Sequence, residues 1–392
     1  MEQVLTDRRL AKTRPTFFEG SIEAATHQYE SNPSADLLVI ETHDAAEKIF
    51  EQLEKLSQVC RVETNLILIG AHNDVALYRA LTKAGIREYL PTPVDSAHLL
   101  ESIVTVVADP AELKLGKLIS FIAASGGAGS TTIANNVAWC LGKQFDGEVT
   151  LVDLDLAFGS IGIDFNLESP ENAAQALAQA DRLDDQVLGR ILVKYNDNLN
   201  LLTAPGECVR AADIDPAAVD EMLKRFRQHA AWVVVNLPHY WGGWVRHVLD
   251  ESDEIVVTAV PTLASLRNAK SIADTLNPKR KNDAPVRVVL NHVGQHAKTE
   301  IGAKDFANAL GFALTVTIPH EATIFGEAAN TGHTVGEAPK AAKGVIEPLT
   351  TLATLVSGRH ATEKKGAPAK KAGLLDKLLP GAAGKVLARA KA

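Results

Sequence analysis

The sequence predicts an α/β protein in which a smaller α/β unit precedes a doubly wound parallel sheet. Short apolar runs alternate with apolar residues at helical spacing along most of the chain, which is typical of parallel sheets flanked by helices. A glycine-rich loop joins one apolar strand directly to a helix, which is the context of a phosphate-binding loop. The chain has 392 residues, 46% of them hydrophobic, which is sufficient for two domains with cores of their own.

The smaller unit is predicted at 17–108, after an irregular segment at 1–16. Its elements are expected in alternation: strands at 37–40, 66–69 and 88–90, and helices at 45–56 and 75–84. A linker that contains Pro110 is expected at 109–116. The N-terminal residues are charged and lack the apolar core of a signal peptide, and no apolar stretch is long enough to span a bilayer.

The larger unit is predicted at 117–358. Its elements also alternate: strands at 118–123, 149–152, 232–237, 254–260 and 286–291, and helices at 131–141, 219–228, 266–276 and 303–310. Asp213 and Asp215 precede Pro216 and are expected to cap a helix. Ligands of doubly wound sheets bind at the carboxyl ends of the strands, so the polar residues that follow these strands form the candidate site.

The loop after the first strand of the larger unit has the glycines of a phosphate-binding loop. It reads Ala124-Ser125-Gly126-Gly127-Ala128-Gly129-Ser130-Thr131-Thr132. Glycines let backbone N–H groups turn towards an anion, and the following helix adds the positive end of its dipole. We expect a nucleotide to contact this loop at Gly126, Gly127, Ala128, Gly129, Ser130, Thr131 and Thr132. The alternative is a glycine turn that only packs the helix against the strand.

With the strands downstream, this loop resembles the deviant Walker A motif, KGGxGKTT, of the ParA/MinD superfamily. In that family lysines stand where this chain has Ser125 and Ser130. Four further segments resemble the family's D-x-D strand, its Walker B strand, its base-contacting strand and its late proline turn: 149–155, 232–238, 288–291 and 317–319. The resemblance implies ATP and Mg²⁺ as ligands.

The resemblance also implies roles for single residues beyond the loop. Thr131 and Asp153 are the candidate Mg²⁺ ligands, Asp155 corresponds to the aspartate that serves the attacking water, and Asn291 corresponds to the base contact. Asn236, however, replaces the metal-supporting aspartate of the Walker B strand.

Phosphoryl transfer depends on the loop lysine and on metal held from the Walker B aspartate. Because this chain lacks those charged groups, we expect weak ATP binding, a vestigial Asp155 and a pseudo-ATPase. The alternative is that another cation, Arg267 or Lys270, supplies the missing charge and restores hydrolysis.

Three segments, 154–159, 241–244 and 260–270, resemble the CpaE/TadZ proteins of Tad (Flp) pilus assembly. Those proteins place a degenerate receiver domain before the ATPase-like domain. Here 36–41 resembles the receiver strand that ends in the phospho-accepting aspartate, and 89–93 resembles the receiver's Lys-Pro turn.

Three working positions of a receiver differ in this chain. Glu41 replaces the aspartate, Gly70 replaces a Ser/Thr hydroxyl and Thr92 replaces the lysine. We therefore expect a docking or dimerisation surface rather than phosphotransfer. Trp241 and Trp244 either pack in the core or form an exposed contact for a partner.

The C-terminal segment, 359–392, is basic and partly amphipathic. It carries a net charge of +7 within a chain of net charge −8, so the remainder carries −15. Three interpretations remain open: a solvated, disordered tail, a helix that docks on a partner, or a helix on a membrane surface.

The sequence favours a localisation and scaffold protein of Tad/Flp pilus assembly. We expect a cytoplasmic homodimer, peripheral at the inner membrane or cell pole, whose partners are pilus-machine components and a polar or membrane-anchored protein. Three scattered cysteines are typical of a reducing compartment. The alternatives are an active ATPase that switches between monomer and dimer, and a DNA-partition ATPase. The acidic body disfavours the latter, and no sequence-specific nucleic-acid binding is expected.

Overall fold

The computed structural model describes residues 2–5, 7–10, 13–107, 115–169, 171–205, 214–338 and 343–359. Within these residues the strands form two sheets, one of three strands and one of eight. No helix in the described ranges is long and apolar enough to cross a membrane. The basic segment, apart from Arg359, lies outside the described residues, and so does Asp213.

The three-stranded sheet belongs to the smaller unit and is parallel throughout, in the order β1-β2-β3. Its strands are β1 (Leu37–Thr42), β2 (Asn65–Gly70) and β3 (Glu88–Pro91). The helices of this part of the chain are α1 (Glu2–Leu5), α2 (Ile22–Glu30), α3 (Ala46–Val59), α4 (Val75–Lys83) and α5 (Ser96–Val107). Apolar clusters lie on both faces of the sheet, which is why β2 is buried along nearly its whole length.

The N-terminal segment differs from the irregular structure expected over 1–16. It forms α1 and a 3₁₀ turn, Arg8–Leu10, and the side chains of Val4 and Leu10 are buried in the cluster that includes residues of α5. Burial of these two apolar side chains supplies the stabilisation that so short a helix lacks by itself. The segment also reaches the larger unit, because Asn282 Nδ2 donates to Asp7 Oδ2 at 3.1 Å.

The eight-stranded sheet belongs to the larger unit and has the order β11-β10-β9-β4-β8-β5-β7-β6. Its strands are β4 (Lys117–Ala123), β5 (Val149–Asp153), β6 (Val193–Asn196), β7 (Leu199–Leu202), β8 (Trp232–Asn236), β9 (Glu254–Ala259), β10 (Arg287–Val293) and β11 (Val316–Pro319). All neighbouring pairs are parallel except β6 and β7. The predicted doubly wound α/β fold is therefore confirmed, with an antiparallel edge that the sequence did not predict.

Helices cover both faces of this sheet and bury two large apolar clusters against it. They are α6 (Ser130–Gln144), α7 (Ile161–Asp164), α8 (Ala173–Ala178), α9 (Asp185–Ile191), α10 (Pro216–His229), α11 (Gly243–Glu251), α12 (Leu263–Leu276), α13 (Ala303–Leu310), α14 (Ala322–Thr331) and α15 (Lys343–Ser357). Asp215 caps α10 as predicted, since its carboxylate accepts a hydrogen bond from the Ala217 N–H. Because β4 lies in the middle of the sheet, the loop after it faces the ends of β5, β8, β9 and β10.

Candidate functional site

The glycine-rich loop runs from the end of β4 to the start of α6, at the carboxyl edge of the sheet. Gly127 and Gly129 have φ angles of 74° and 85°, in the left-handed region that glycine adopts without steric cost. A Cβ on Gly126 or Gly127 would meet no heavy atom within 4 Å, so open space lies beside the loop backbone. The loop thus has the shape of an anion-binding concavity.

Two asparagines hold carbonyl groups of this loop. Asn268 Nδ2 donates to the Ala124 carbonyl at 2.7 Å, and Asn291 Nδ2 donates to the Ala128 carbonyl at 2.9 Å. In a trans peptide the C=O and the next N–H point in opposite directions. The two bonds therefore turn the N–H groups of Ser125 and Gly129 away from the asparagines.

Two histidines hold further backbone groups of the same segment. His239 Nδ1 lies 2.9 Å from the Ala123 carbonyl. His292 makes a hydrogen bond to the backbone of Gly127, and this bond acts to raise its pKa, so the imidazole is the donor. Four side chains from three separate segments, after β8, on α12 and at the end of β10, thus fix the loop before any ligand is present.

The two serines at the lysine positions supply no charge to the loop. Ser125 Oγ donates to Ser265 Oγ at 3.4 Å. Ser130 Oγ is buried and makes no hydrogen bond within the part of the chain that the structure describes. Arg267 bonds to the side chain of Asn268, and Lys270 donates to the Leu310 carbonyl at 2.9 Å, so the amine of Lys270 is engaged elsewhere.

The side chains of the candidate metal ligands, Thr131 and Asp153, are linked by the neutral amide of Asn236. Thr131 Oγ1 donates to Asn236 Oδ1 at 3.3 Å, and Asn236 Nδ2 donates to Asp153 Oδ1 at 3.0 Å. Asp153 is fully buried, and its carboxylate also accepts hydrogen bonds from two backbone N–H groups, those of Asp155 and Ile161. Burial outweighs these bonds and raises the pKa of Asp153 to about 7.

Asp155 is half-buried at the start of the loop between β5 and α7. Its Oδ1 accepts a hydrogen bond from the Phe158 N–H at 3.2 Å, which closes a turn of that loop. Gly159 packs against the carboxylate of Asp153 so closely that a Cβ there would overlap it. The carboxylates of both aspartates therefore hold backbone of the same loop.

These residues fit the phosphate part of a nucleotide better than its metal. The loop offers oriented N–H groups and open space, which an anion requires. A Mg²⁺ ion would compete with Asn236 for both Thr131 and Asp153, at a carboxyl group that burial disposes towards its neutral form. No group of three or more His, Cys, Asp or Glu residues within the described ranges has metal-binding geometry.

Asn291, the candidate base contact, is 5% exposed and donates to the loop itself. The bond places its amide between the ends of β10 and the loop rather than in solvent. A Cβ on Gly129 would lie 2.6 Å from Asn291 Nδ2, so only glycine allows this approach. Residues 317–319 form most of β11, next to β10, as the late strand of the resemblance requires.

Exposed apolar side chains lie on the loops and helix starts that follow β5, β8 and β9. Phe158, Ile163 and Leu263 are 79%, 76% and 76% exposed, and Tyr240 and Trp241 are also exposed. We call these five residues the apolar rim. The two tryptophans of the 241–244 segment differ, because Trp244 is 5% exposed and belongs to the core whereas Trp241 faces solvent beside Arg246.

In the smaller unit the carboxyl end of β2 is filled by a tyrosine. A Cβ on Gly70 would lie 2.6 Å from the hydroxyl oxygen of Tyr89. That hydroxyl donates to the His72 carbonyl at 2.9 Å and accepts from the His72 N–H at 3.2 Å. The position where a receiver is expected to carry a Ser/Thr hydroxyl is therefore occupied by the ring of Tyr89, while Glu41 is exposed.

Comparisons with known proteins agree with this fold. A family model described as cellulose biosynthesis protein BcsQ matches residues 117–273. The structure is similar to a ParA family ATPase from Chlorobium tepidum, with a TM-score of 0.55 and 21% identity over 61% of this chain and 98% of that one. It is also similar to the septum site-determining protein MinD from Pyrococcus horikoshii, solved with Mg-ADP, with a TM-score of 0.53 and 18% identity over 62% and 96% of the two chains.

The fold, the strand order and the loop after β4 define a P-loop protein of the α/β class. The chain has the fold of the ParA/MinD proteins, to which its structure is similar. It is also similar to the pilus assembly protein CpaE from Caulobacter crescentus, at 33% identity over 26% of this chain and 85% of that one, with a TM-score of 0.26.

Histidines 239, 292 and 320 and Asn268 were not among the predicted site residues. They lie far from the loop in sequence, and only the folded sheet brings them to it. A polar residue close to the end of a predicted strand is a signal that His239 and His292 both have, since they follow the predicted strands at 232–237 and 286–291.

Proposed function

We propose that the chain is a CpaE/TadZ-like localisation and scaffold protein of Tad/Flp pilus assembly that binds ATP weakly and does not hydrolyse it. The observation that carries the proposal is the amide of Asn236. It joins Thr131 to Asp153 by hydrogen bonds at the position where a hydrolysing relative would hold metal. Phosphoryl transfer relies almost entirely on charge placed around the phosphates, and here Ser125, Ser130 and Asn236 are all neutral.

The loop nevertheless keeps what binding requires. Asn268 and Asn291 hold its carbonyl groups, so its N–H groups are oriented before a ligand arrives. A preorganised site loses little free energy to ordering when it binds. Nucleotide binding without turnover is the behaviour that this combination supports.

The apolar rim supports a homodimer as the working form. Its five exposed side chains lie on segments that follow β5, β8 and β9, and large exposed apolar groups in one region mark interaction surfaces. Because Ser125 replaces a lysine that would reach across such an interface, contact between surfaces would stabilise the dimer. The smaller unit, in which Tyr89 fills the space beside Gly70, would dock the dimer at the inner membrane or cell pole. Mg²⁺ would bind only weakly together with ATP.

A complementation experiment in the source organism tests the proposal. With the native copy deleted, the wild-type chain and Asp155→Asn are expected to restore surface pili equally, because no hydrolysis is needed. Gly129→Ala is expected to fail, since its Cβ would overlap the Asn291 amide and its φ is left-handed. Gly189→Ala, at a position where a Cβ meets no heavy atom within 4 Å, is the matched control.

Two outcomes would contradict the proposal. Loss of pili with Asp155→Asn, at normal protein level, would favour an active ATPase that switches between monomer and dimer. Normal pili in a strain that lacks the chain altogether would exclude a role in pilus assembly.

A further inference from the structure

His292, which contacts the loop from β10, has an unusual backbone conformation for a residue other than glycine. Its φ of 57° lies in the left-handed region, which a histidine enters only at a cost in free energy. It lies on β10, one residue after Asn291, which bonds the loop itself. Backbone strain of this kind persists where surrounding contacts hold it in place.

Both ring nitrogens of His292 have partners. Nδ1 lies 3.1 Å from Nδ1 of His320, the residue after β11. Nε2 points to the loop, because it lies 3.6 Å from the position of a Cβ on Gly129, and the ring donates to the Gly127 backbone. One Nδ1 of the pair must donate and the other accept. Because Nε2 of neutral His292 donates to the loop, its Nδ1 accepts from His320, and the two contacts together fix this tautomer.

The pair of His292 and His320 can take up one extra proton and keep both hydrogen bonds of His292. A protonated His292 would donate through Nδ1 to His320 and through Nε2 to Gly127. A positive charge would then lie directly behind the loop, in a region that has no lysine at either Ser125 or Ser130. A second proton would place two donors face to face and break the contact between the two rings.

We propose that His292, held by His320, is a loop-positioning residue that places behind the loop the cationic charge which the loop lacks. The inference rests on the proposed nucleotide binding and deepens it: the ligand is bound together with a proton. Binding would therefore tighten as the pH falls.

The groups that face His292 set the direction of this effect. His320 faces it from the end of β11, and the Gly127–Gly129 backbone faces it from the loop. The carboxylate of Glu300 lies further along the segment after β10, where it accepts from the Gly294 N–H. Burial and the neighbouring His320 both act to lower the pKa of His292 and so favour its neutral form when no ligand is bound. An anion on the loop would raise that pKa and draw in one proton.

The test is the affinity for Mg-ATP of the full chain, measured by calorimetry between about pH 6 and about pH 8. Uptake of one proton predicts an affinity that rises up to about tenfold for each unit by which the pH falls. His292→Asn, which tolerates the left-handed backbone, is expected to lose this slope and to bind about tenfold more weakly at the lower pH. Comparison with the variant cancels the titration of ATP itself.

Two controls separate positioning from general damage. His247→Gln changes a histidine that bonds Asp220 on another surface, and it is expected to retain the wild-type slope. His320→Gln is expected to reduce the slope while leaving the fold intact, because it removes the partner that fixes the tautomer of His292.

The outcomes distinguish this inference from the proposed function. If the wild-type chain and His292→Asn bind Mg-ATP with the same affinity at every pH, the inference is wrong and nucleotide binding stands. If the wild-type chain binds no Mg-ATP at millimolar concentration at any pH in this range, both fail.

Discussion

Asn236 Nδ2 donates a hydrogen bond to Oδ1 of Asp153 at 3.0 Å, in the buried space beside the glycine-rich loop. Both side chains are essentially inaccessible to solvent, with Asn236 1% exposed and Asp153 0% exposed. The amide compensates part of the cost of a buried carboxyl group. A carboxylate at 236, as in a hydrolysing relative, would instead place two like charges in contact unless metal lay between them.

Asn236→Asp is therefore expected to destabilise the protein and to create a response to Mg²⁺. The substitution removes a buried hydrogen bond and adds a charge beside Asp153, at an expected cost of about 2–4 kcal/mol in the free energy of unfolding. Mg²⁺ should recover part of this cost by binding between the carboxylates. Urea unfolding with and without Mg²⁺ measures both effects. Asn236→Ala is the control, and equal responses of the two variants to Mg²⁺ would show that no metal site had formed.

Asp153 is expected to make stability depend on pH. Its pKa is about 7 in the folded protein, against 3.8 for the ordinary carboxyl group. The folded state therefore binds more protons than the unfolded state between these values, and the free energy of unfolding falls as the pH rises through that range. The contribution of this group is at most about 4 kcal/mol.

Asp153→Asn isolates this contribution, because the amide has the same shape and does not titrate. In urea unfolding the wild type should lose stability relative to the variant between about pH 4 and about pH 7. A constant difference between the two proteins across that range would mean that Asp153 does not carry the raised pKa.

Ser130→Lys is expected to strengthen ATP binding without restoring turnover. A hydrogen bond to a charged group contributes about 1.5–3 kcal/mol, which corresponds to an affinity gain of about 10- to 100-fold. Hydrolysis should stay undetectable, since the neutral amide of Asn236 still lies between Thr131 and Asp153 and supplies no charge. Calorimetry and phosphate release measure the two quantities, with Ser130→Met as the control that adds a long side chain without charge. An unaltered affinity in Ser130→Lys would argue that phosphates do not lie on this loop.

The two tryptophans after β8 should respond differently to truncation. Trp244→Ala leaves a cavity in the core and is expected to cost about 3–5 kcal/mol of stability. Trp241→Ala removes an exposed ring and should leave stability within about 0.5 kcal/mol of the wild type. Thermal or urea unfolding measures the difference. If Trp241 belongs to the dimer surface, the same variant should shift sedimentation towards the monomer, and an unchanged sedimentation profile would remove it from that surface.

The elements that the sequence predicts best are those with strong local periodicity. The strands of the larger sheet and the glycine loop were predicted because buried parallel strands are continuous apolar runs and because left-handed φ angles at Gly127 and Gly129 require glycine. The hairpin of β6 and β7 was missed, since each of its strands has only four residues and β6 is largely exposed.

The parts of the site that escaped prediction depend on contacts distant in sequence. Asn268 reaches a carbonyl 144 residues away, and His292 meets a histidine 28 residues away. The local sequence does not identify the partners of such residues, because only the folded sheet brings these segments together. The roles of Asp155 and Asn291 remain predictions from resemblance, and the basic segment lies outside the described residues.

The most direct test of the central claim is calorimetric titration of the full chain with ATP and Mg²⁺, run beside an assay of phosphate release. We expect binding that is detectable at millimolar ATP, is weakened in Gly129→Ala and is accompanied by no turnover. Robust phosphate release, or an absence of binding in the wild-type chain, would contradict it.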